Sequence, residues 1–109
     1  MKIRLSRRDA EFAKAIKERD EWTCRRCGKQ YAEGDRGLHC AHIVGRGNKE
    51  LRFDPMNALA LCYRDHLFWA HSNPIFFAEW VKQEIGIREY NRLRRIAGTP
   101  KKIRETPRS

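Results

Sequence analysis

Acidic residues and long apolar runs are both scarce in this 109-residue sequence. It holds 14 Asp and Glu against 24 Lys and Arg, and the resulting net charge of +10 indicates a polyanionic partner, nucleic acid first. No run approaches the roughly 20 apolar residues that span a bilayer, so we expect no membrane partner. Residues 1–8 lack the apolar segment of a signal peptide, which predicts a cytoplasmic protein.

Cysteine occurs only four times, and the chain is short. These two facts argue against a secreted disulfide knot and against a multidomain enzyme. The 40% of hydrophobic residues suffices for one modest core, but a domain of this size is marginally stable without a metal or another staple. We therefore expect a single domain over residues 1–109.

The positive charge is concentrated at the two ends of the chain. Residues 1–20 carry seven basic and four acidic side chains, residues 21–87 carry nine and eight, and residues 88–109 carry eight and two. A neutral middle between basic flanks fits a recognition or catalytic core held on a phosphate backbone. For residues 101–109 a solvated basic tail is the alternative.

The cysteine spacing favours a zinc site. Cys24 and Cys27 form a C-x-x-C followed by Gly28, as in a zinc knuckle, and further ligand types follow at Cys62 and His66. A thioredoxin-like redox pair would need a preceding strand of a parallel sheet, and free thiols are the other alternative. Zinc would also supply the staple, because metal binding contributes to the free energy of folding.

Helical and extended patterns succeed one another along the chain, which predicts an α+β domain. Ser6 and Asp9 form a capping box for a helix that ends at residues 20–21. Short strands are expected at 37–44 and 58–61, and the segment that contains Pro55 between them is a loop. Helices are expected at 62–71, 75–85 and 88–97, with an aromatic core from Trp69, Phe76, Phe77 and Trp80.

Three residues of the predicted strand–loop–strand–helix unit have the chemistry to hydrolyse a phosphodiester: His42, Asn57 and His66. Histidine suits the role of general base because its ordinary pKa of about 6.5 lies near neutral pH. A divalent ion neutralises the charge that develops on the leaving oxygen. An amide or carbonyl group holds the base in the required tautomer.

These residues and their spacing resemble the zinc-containing HNH endonucleases, whose fold is the ββα-metal, or treble-clef-like, hairpin. The resemblance extends over residues 10–100 towards the phage NinG/Rap recombination proteins. It is carried by Cys24-x-x-Cys27-Gly28, Ala41-His42-Ile43, Gly45-Arg46-Gly47 and the run from Asn57 to His66. The resemblance divides the domain into an N-terminal basic helix (1–21), a zinc knuckle with the ββα-metal core (22–72), C-terminal helices (73–98) and a basic tail (99–109).

The resemblance implies that His42 is the general base, that Asn57 fixes the loop behind it and that His66 binds a catalytic divalent cation. That cation would be Mg²⁺ or Mn²⁺, with Zn²⁺ or Ni²⁺ as alternatives. Ala41 stands where many HNH enzymes have an acidic or histidine ligand, so this ion would also need Asn57, His71, substrate phosphate or water. His39 and His71 are otherwise expected to be structural or surface residues.

Structural Zn²⁺ is implied at Cys24, Cys27 and Cys62. The usual fourth ligand is replaced by Asp65, and Cys40 and His66 remain alternatives to it. If His66 binds zinc, no second metal site exists, and the protein is a non-catalytic zinc-stabilised DNA-binding module.

The expected partner is DNA, contacted mainly through its phosphates in the cytoplasm of a bacterium or a phage-infected cell. Phage or host recombination and packaging proteins are further expected partners, and the chain could be an accessory subunit of such a complex. The predicted phosphate contacts are Arg46, Arg52, Arg92, Arg94, Arg95, Lys101 and Lys102.

Overall fold

The structure, a computed structural model, describes residues 5–98 and combines helices with one two-stranded antiparallel sheet, so the α+β class is confirmed. No helix in the described part is long and apolar enough to cross a membrane. The elements are α1 (Arg7–Arg19), β1 (Leu38–His42), β2 (Ala58–Cys62), a short helix called the site helix (Arg64–Ala70), α2 (Pro74–Ile85) and α3 (Ile87–Gly98).

Helix α1 begins at the predicted capping box. The Ser6 hydroxyl accepts a hydrogen bond from the backbone N–H of Asp9, and the Asp9 carboxylate accepts one from the N–H of Ser6. The helix buries Ile16 against Cys40 of β1 and Ala58 of β2. Helix α1 therefore lies on the hairpin and anchors it from one side.

The β1–β2 hairpin places the candidate residues at its two ends. In its register His42 pairs with Ala58, and Leu38 pairs with Cys62. His42 therefore lies next to Asn57 at the loop end, whereas Cys62 lies at the opposite end, where the site helix begins. All five residues of β2 are buried, so this strand is the centre of the core.

Several details of the sequence prediction differ from the structure. The first strand is shorter than the predicted 37–44, and the predicted loop contains a single turn of 3₁₀ helix at Pro55–Asn57. The site helix begins at Arg64, because Cys62 still belongs to β2 and the N–H of Tyr63 donates to the carbonyl of Gly37. Its hydrogen bonds run from residue i to i+5, so it is a π-helix. Phe76 is exposed and was wrongly placed in the core, whereas Trp69, Phe77 and Trp80 do pack on one another.

Candidate functional site

The knuckle holds the first two cysteines in a tight turn. Gly28 N–H donates to the carbonyl of Cys24, and Cys24 N–H donates to the carbonyl of Lys29. Gly28 has a φ of 81°, a left-handed conformation that glycine adopts without a steric penalty. The turn therefore requires the glycine that follows the C-x-x-C, and it directs both sulfurs to one side.

Four potential metal ligands meet between the knuckle and the site helix: Cys24, Cys27, Cys62 and Asp65, here called the Cys₃Asp group. Their ligand atoms all lie within 4.8 Å of one another. The Sγ atoms of Cys27 and Cys62 are 3.8 Å apart. Two thiolates on one tetrahedral Zn²⁺, each at about 2.3 Å, lie about 3.8 Å apart, so the donor set fits zinc.

Backbone hydrogen bonds prepare the sulfurs for this role. Cys27 N–H donates to Sγ of Cys24 and Asp65 N–H donates to Sγ of Cys62, each at 3.4 Å. Such bonds favour a thiolate, but burial opposes it and raises the pKa of Cys24 to about 12. Binding of a cation would offset the cost of ionising this thiol, so metal binding and deprotonation of Cys24 are coupled.

Asp65, rather than Cys40 or His66, completes the group. One of its oxygens lies 3.3 Å from Sγ of Cys24, and the other accepts a hydrogen bond from Arg26 at 2.8 Å. Burial opposes ionisation of Asp65, but the hydrogen bonds from Cys24 and Arg26 outweigh it and lower the pKa. Cys40 is instead buried against α1. The structure thus favours Asp65 among the three alternatives.

His42 lies at the loop end of the hairpin with its two nitrogens in different environments. Nε2 is 2.9 Å from the backbone carbonyl of Arg52, and because a carbonyl only accepts, Nε2 carries the hydrogen. Nδ1 is therefore the basic nitrogen, and it is a buried atom without a hydrogen-bond partner among residues 5–98. Burial, assisted by the charge of Arg46, lowers the pKa of His42 below its ordinary value.

The backbone carbonyl of Arg52 binds His42, and its side chain is anchored on helix α1. Its Nε and Nη2 donate to the two carboxylate oxygens of Asp9 at 2.9 and 2.6 Å. Asp9 is the same residue that caps α1. These bonds, together with those from Ser6, hold the pKa of Asp9 well below its usual range, although burial opposes them. Sequence analysis predicted that Arg52 contacts a DNA phosphate. In the structure its guanidinium instead binds Asp9 and fixes the loop that orients His42.

Asn57 is fully buried and ties the two ends of the loop together. Its Oδ1 accepts from the N–H of Val44 at 2.7 Å, and its Nδ2 donates to the carbonyls of Val44 and Leu51 at 2.9 and 3.0 Å. Both amide hydrogens are donated within the loop, and the side chain is at 0% exposure, so Oδ1 is closed off from solvent. Asn57 is therefore not available as a ligand for a second ion.

Replacing Asn57 by Ala should lower the free energy of unfolding by about 3 kcal/mol, because three hydrogen bonds made by a fully buried side chain are lost. Asn48→Ala in the same loop is the matched control. It removes one bond to the N–H of Leu51, which also donates to the carbonyl of Asn48, so its cost should stay below about 1 kcal/mol. Urea unfolding measures both changes, and equal losses would contradict the role given to Asn57.

Three of the four histidines form a second group, here called the histidine cluster: His39, His66 and His71. The Nδ1 atoms of His39 and His66 are 3.0 Å apart, and the rings of His66 and His71 have centroids 5.1 Å apart. Burial, together with the charges of the neighbouring histidines and Arg46, lowers the pKa of His66 to about 4. Sequence analysis named His71 beside His66 as a possible ligand but did not predict that His39 joins them.

The geometry of the site helix explains how His66 and His71 meet. In a regular α-helix residues five apart point about 140° away from each other, so His66 and His71 would lie on different faces. In the π-helix the i to i+5 pattern brings them onto one face. His39 reaches the same place from β1, where its backbone partner is Leu61.

The predicted phosphate-binding arginines have different surroundings. Arg46 carries a buried Nε that has no hydrogen-bond partner in the described part of the chain. Arg92 pairs with Asp54 at 2.9 Å and with Glu89 at 2.8 Å, which joins α3 to the loop. Arg94 and Arg95 are exposed on α3. Lys101 and Lys102 lie outside the described residues.

Comparison with known proteins finds no match. No family model matches the chain, and neither a curated protein nor a solved structure matches it. The Cys₃Asp group, the orientation of His42 and the histidine cluster are the structural observations that bear on function.

Proposed function

We propose that the protein is a metal-dependent DNA endonuclease of the HNH class, built on a ββα-metal hairpin with a structural zinc at the Cys₃Asp group. The orientation of His42 is the observation that carries this proposal. Its Nε2–H is held by the Arg52 carbonyl, and its Nδ1 lone pair has no partner among the described residues. A neutral imidazole with one nitrogen fixed and the other unpartnered is what a general base requires.

In the proposed reaction, DNA binding gives water access to the buried Nδ1 of His42, which removes a proton from it while Nε2–H goes on donating to the Arg52 carbonyl. The activated water attacks phosphorus in line and displaces the 3′-oxygen. A divalent cation near His66 would supply charge stabilisation for that leaving oxygen. Arg46 is suited to hold the phosphate, because its guanidinium lies close enough for its charge to act on both His42 and His66.

Incubation of the zinc-loaded chain with linear and branched DNA tests this function. We expect cleavage in the presence of Mg²⁺, Mn²⁺ or Ni²⁺ and none when these ions are withheld. Preference for branched DNA would support the further proposal, based on the resemblance to NinG/Rap proteins, that recombination intermediates are the substrate. Binding without cleavage under every ion would contradict the nuclease assignment.

The cleavage rate should fall in acid with a midpoint below pH 6.5. His42 acts only when neutral, and burial together with Arg46 lowers its pKa from the ordinary 6.5, against the opposing effects of the Arg52 carbonyl bond and Asp9. The rate should therefore already be at its plateau at neutral pH. A profile of kcat/KM against pH measures the midpoint, with zinc content checked at each pH. A midpoint above 6.5 would contradict the tautomer and burial assigned to His42.

One observation favours a second candidate function. Within residues 5–98 only the Cys₃Asp group brings three or more metal-ligand atoms within 4.8 Å of one another. A non-catalytic zinc-stabilised DNA-binding module, acting alone or as an accessory subunit of a recombination or packaging complex, needs no other metal. It predicts salt-sensitive DNA binding and no cleavage by the purified chain.

A further inference from the structure

The facing nitrogens of His39 and His66 have the spacing of two ligands on one ion. Their Nδ1 atoms are 3.0 Å apart, and their rings are nearly perpendicular at 84°. Two imidazole nitrogens that share an ion at about 2.1 Å lie about 3.0 to 3.4 Å apart, depending on whether the ion is octahedral or tetrahedral. In the absence of an ion, the same 3.0 Å distance is that of a hydrogen bond in which one Nδ1–H donates to the other Nδ1.

The two ligands come from separate, well-anchored elements. His39 belongs to β1, which is paired along its length with the buried strand β2. His66 directly follows Asp65, whose carboxylate belongs to the Cys₃Asp group. The zinc centre and the hairpin therefore fix both imidazoles before any second ion arrives, which reduces the entropy cost of binding it.

We propose that Nδ1 of His39 and Nδ1 of His66 together bind one divalent transition-metal ion, distinct from the structural zinc. This inference rests on the proposed function, since it assigns the protein ligands of the catalytic cation. His39 supplies the metal ligand from β1, since Ala41 in the same strand has no ligand atom. Imidazole ligands favour Ni²⁺ or Zn²⁺, whereas Mg²⁺ and Mn²⁺ prefer oxygen.

His71 is assigned a packing role and not a ligand role. Its ring lies edge-to-face against His66, with an interplanar angle of 78°, and its side chain is exposed. His71 does not form a group of three ligand atoms within 4.8 Å of one another together with His39 and His66, as judged over residues 5–98. Two protein nitrogens leave the remaining positions of the ion open to water and to a phosphate oxygen, as catalytic metal sites require.

Calorimetric titration of the zinc-loaded full chain with Ni²⁺ tests this assignment. The wild type should bind one equivalent beyond the structural zinc. His39→Phe should weaken this binding at least tenfold, because one of only two protein ligands is lost. His71→Phe, a matched change in the same cluster, should stay within about threefold of the wild type, because it removes only a neighbouring ring. Absence of a second equivalent, or equal losses in both variants, would overturn the proposal.

A second readout uses the unmodified protein and does not depend on how a variant folds. Long-range ¹H–¹⁵N spectra report each histidine nitrogen separately. Added Zn²⁺ beyond the first equivalent should shift Nδ1 of His39 and of His66 and leave Nδ1 of His42 in place. A shift confined to His42 or His71 would overturn the assignment.

Cleavage assays on the same samples separate this inference from the proposed function. Nickel bound through His39 without DNA cleavage would uphold the metal site and reject the nuclease. Cleavage by His39→Phe at the wild-type rate and the wild-type Ni²⁺ requirement would uphold the nuclease and reject the assignment of His39.

Discussion

Substitution of Cys24 by Ser should abolish both zinc binding and cooperative folding. Cys24 is buried at 1% exposure, and its sulfur lies in the Cys₃Asp group beside Asp65. Structural zinc contributes about 10–16 kcal/mol in small domains, which is comparable to or larger than the 5–15 kcal/mol total stability of an ordinary protein. The zinc content measured by metal analysis should fall from one ion per chain to none. The thermal unfolding transition seen by circular dichroism should disappear.

Cys40→Ser is the matched control for this experiment. Cys40 is also a buried cysteine, at 8% exposure, but it packs against Ile16 and Ala58 away from the metal ligands. The Cys40→Ser variant should keep one zinc per chain and a cooperative unfolding transition. Its free energy of unfolding should fall by about 1–3 kcal/mol, because a hydroxyl is buried. Retention of zinc by Cys24→Ser, or its loss from Cys40→Ser, would reject the ligand set.

His42→Ala should reduce the cleavage rate about 10²- to 10⁴-fold, the usual contribution of a general base. The variant lacks the nitrogen proposed to accept the proton from water, while the Cys₃Asp group lies at the other end of the hairpin. DNA affinity, measured at fixed salt, should change little because phosphate contacts come from arginine and lysine side chains. Single-turnover cleavage of a labelled duplex measures the rate.

Folding must be monitored in this experiment, because His42 also packs against Phe12, with ring centroids 5.6 Å apart. His42→Asn keeps a polar side chain of intermediate size and cannot act as a base near neutral pH. If both variants retain zinc and a cooperative transition, the chemical step alone explains the lost rate. Cleavage at the wild-type rate by either folded variant would refute the mechanism.

Sequence patterns were sufficient for the features that depend on local spacing. The capping box at Ser6 and the C-x-x-C-Gly turn at Cys24 each involve residues within five positions of one another, so residue type and spacing define them. The α+β class followed from the alternation of short apolar runs with helical periodicity. The choice among Asp65, Cys40 and His66 could not be made in this way, because it depends on the path of the chain between Cys27 and Cys62.

The polar contacts between residues far apart in the sequence could not be predicted either, because they too depend on the path of the chain. Arg52 lies 43 residues from Asp9, and His39 lies 27 residues from His66. Arginine in a glycine-bearing loop of a basic protein is equally consistent with a phosphate contact and with an internal ion pair, and only tertiary structure separates them. The π-helix adds a second difficulty, because the usual 3.6-residue periodicity places His71 on the wrong face.

The anchoring of Arg52 on Asp9 determines where this chain could be shortened. All four cysteines and all four histidines fall between Cys24 and His71, so a fragment cut at those points would contain each candidate metal ligand and the proposed base. Such a fragment would lack Asp9, and the carbonyl that holds the tautomer of His42 would sit on a loop without its carboxylate anchor. The smallest unit expected to show the proposed activity therefore includes the N-terminal helix, and a chimera that exchanged this helix would keep the Cys₃Asp group while losing the anchor that fixes the tautomer of His42.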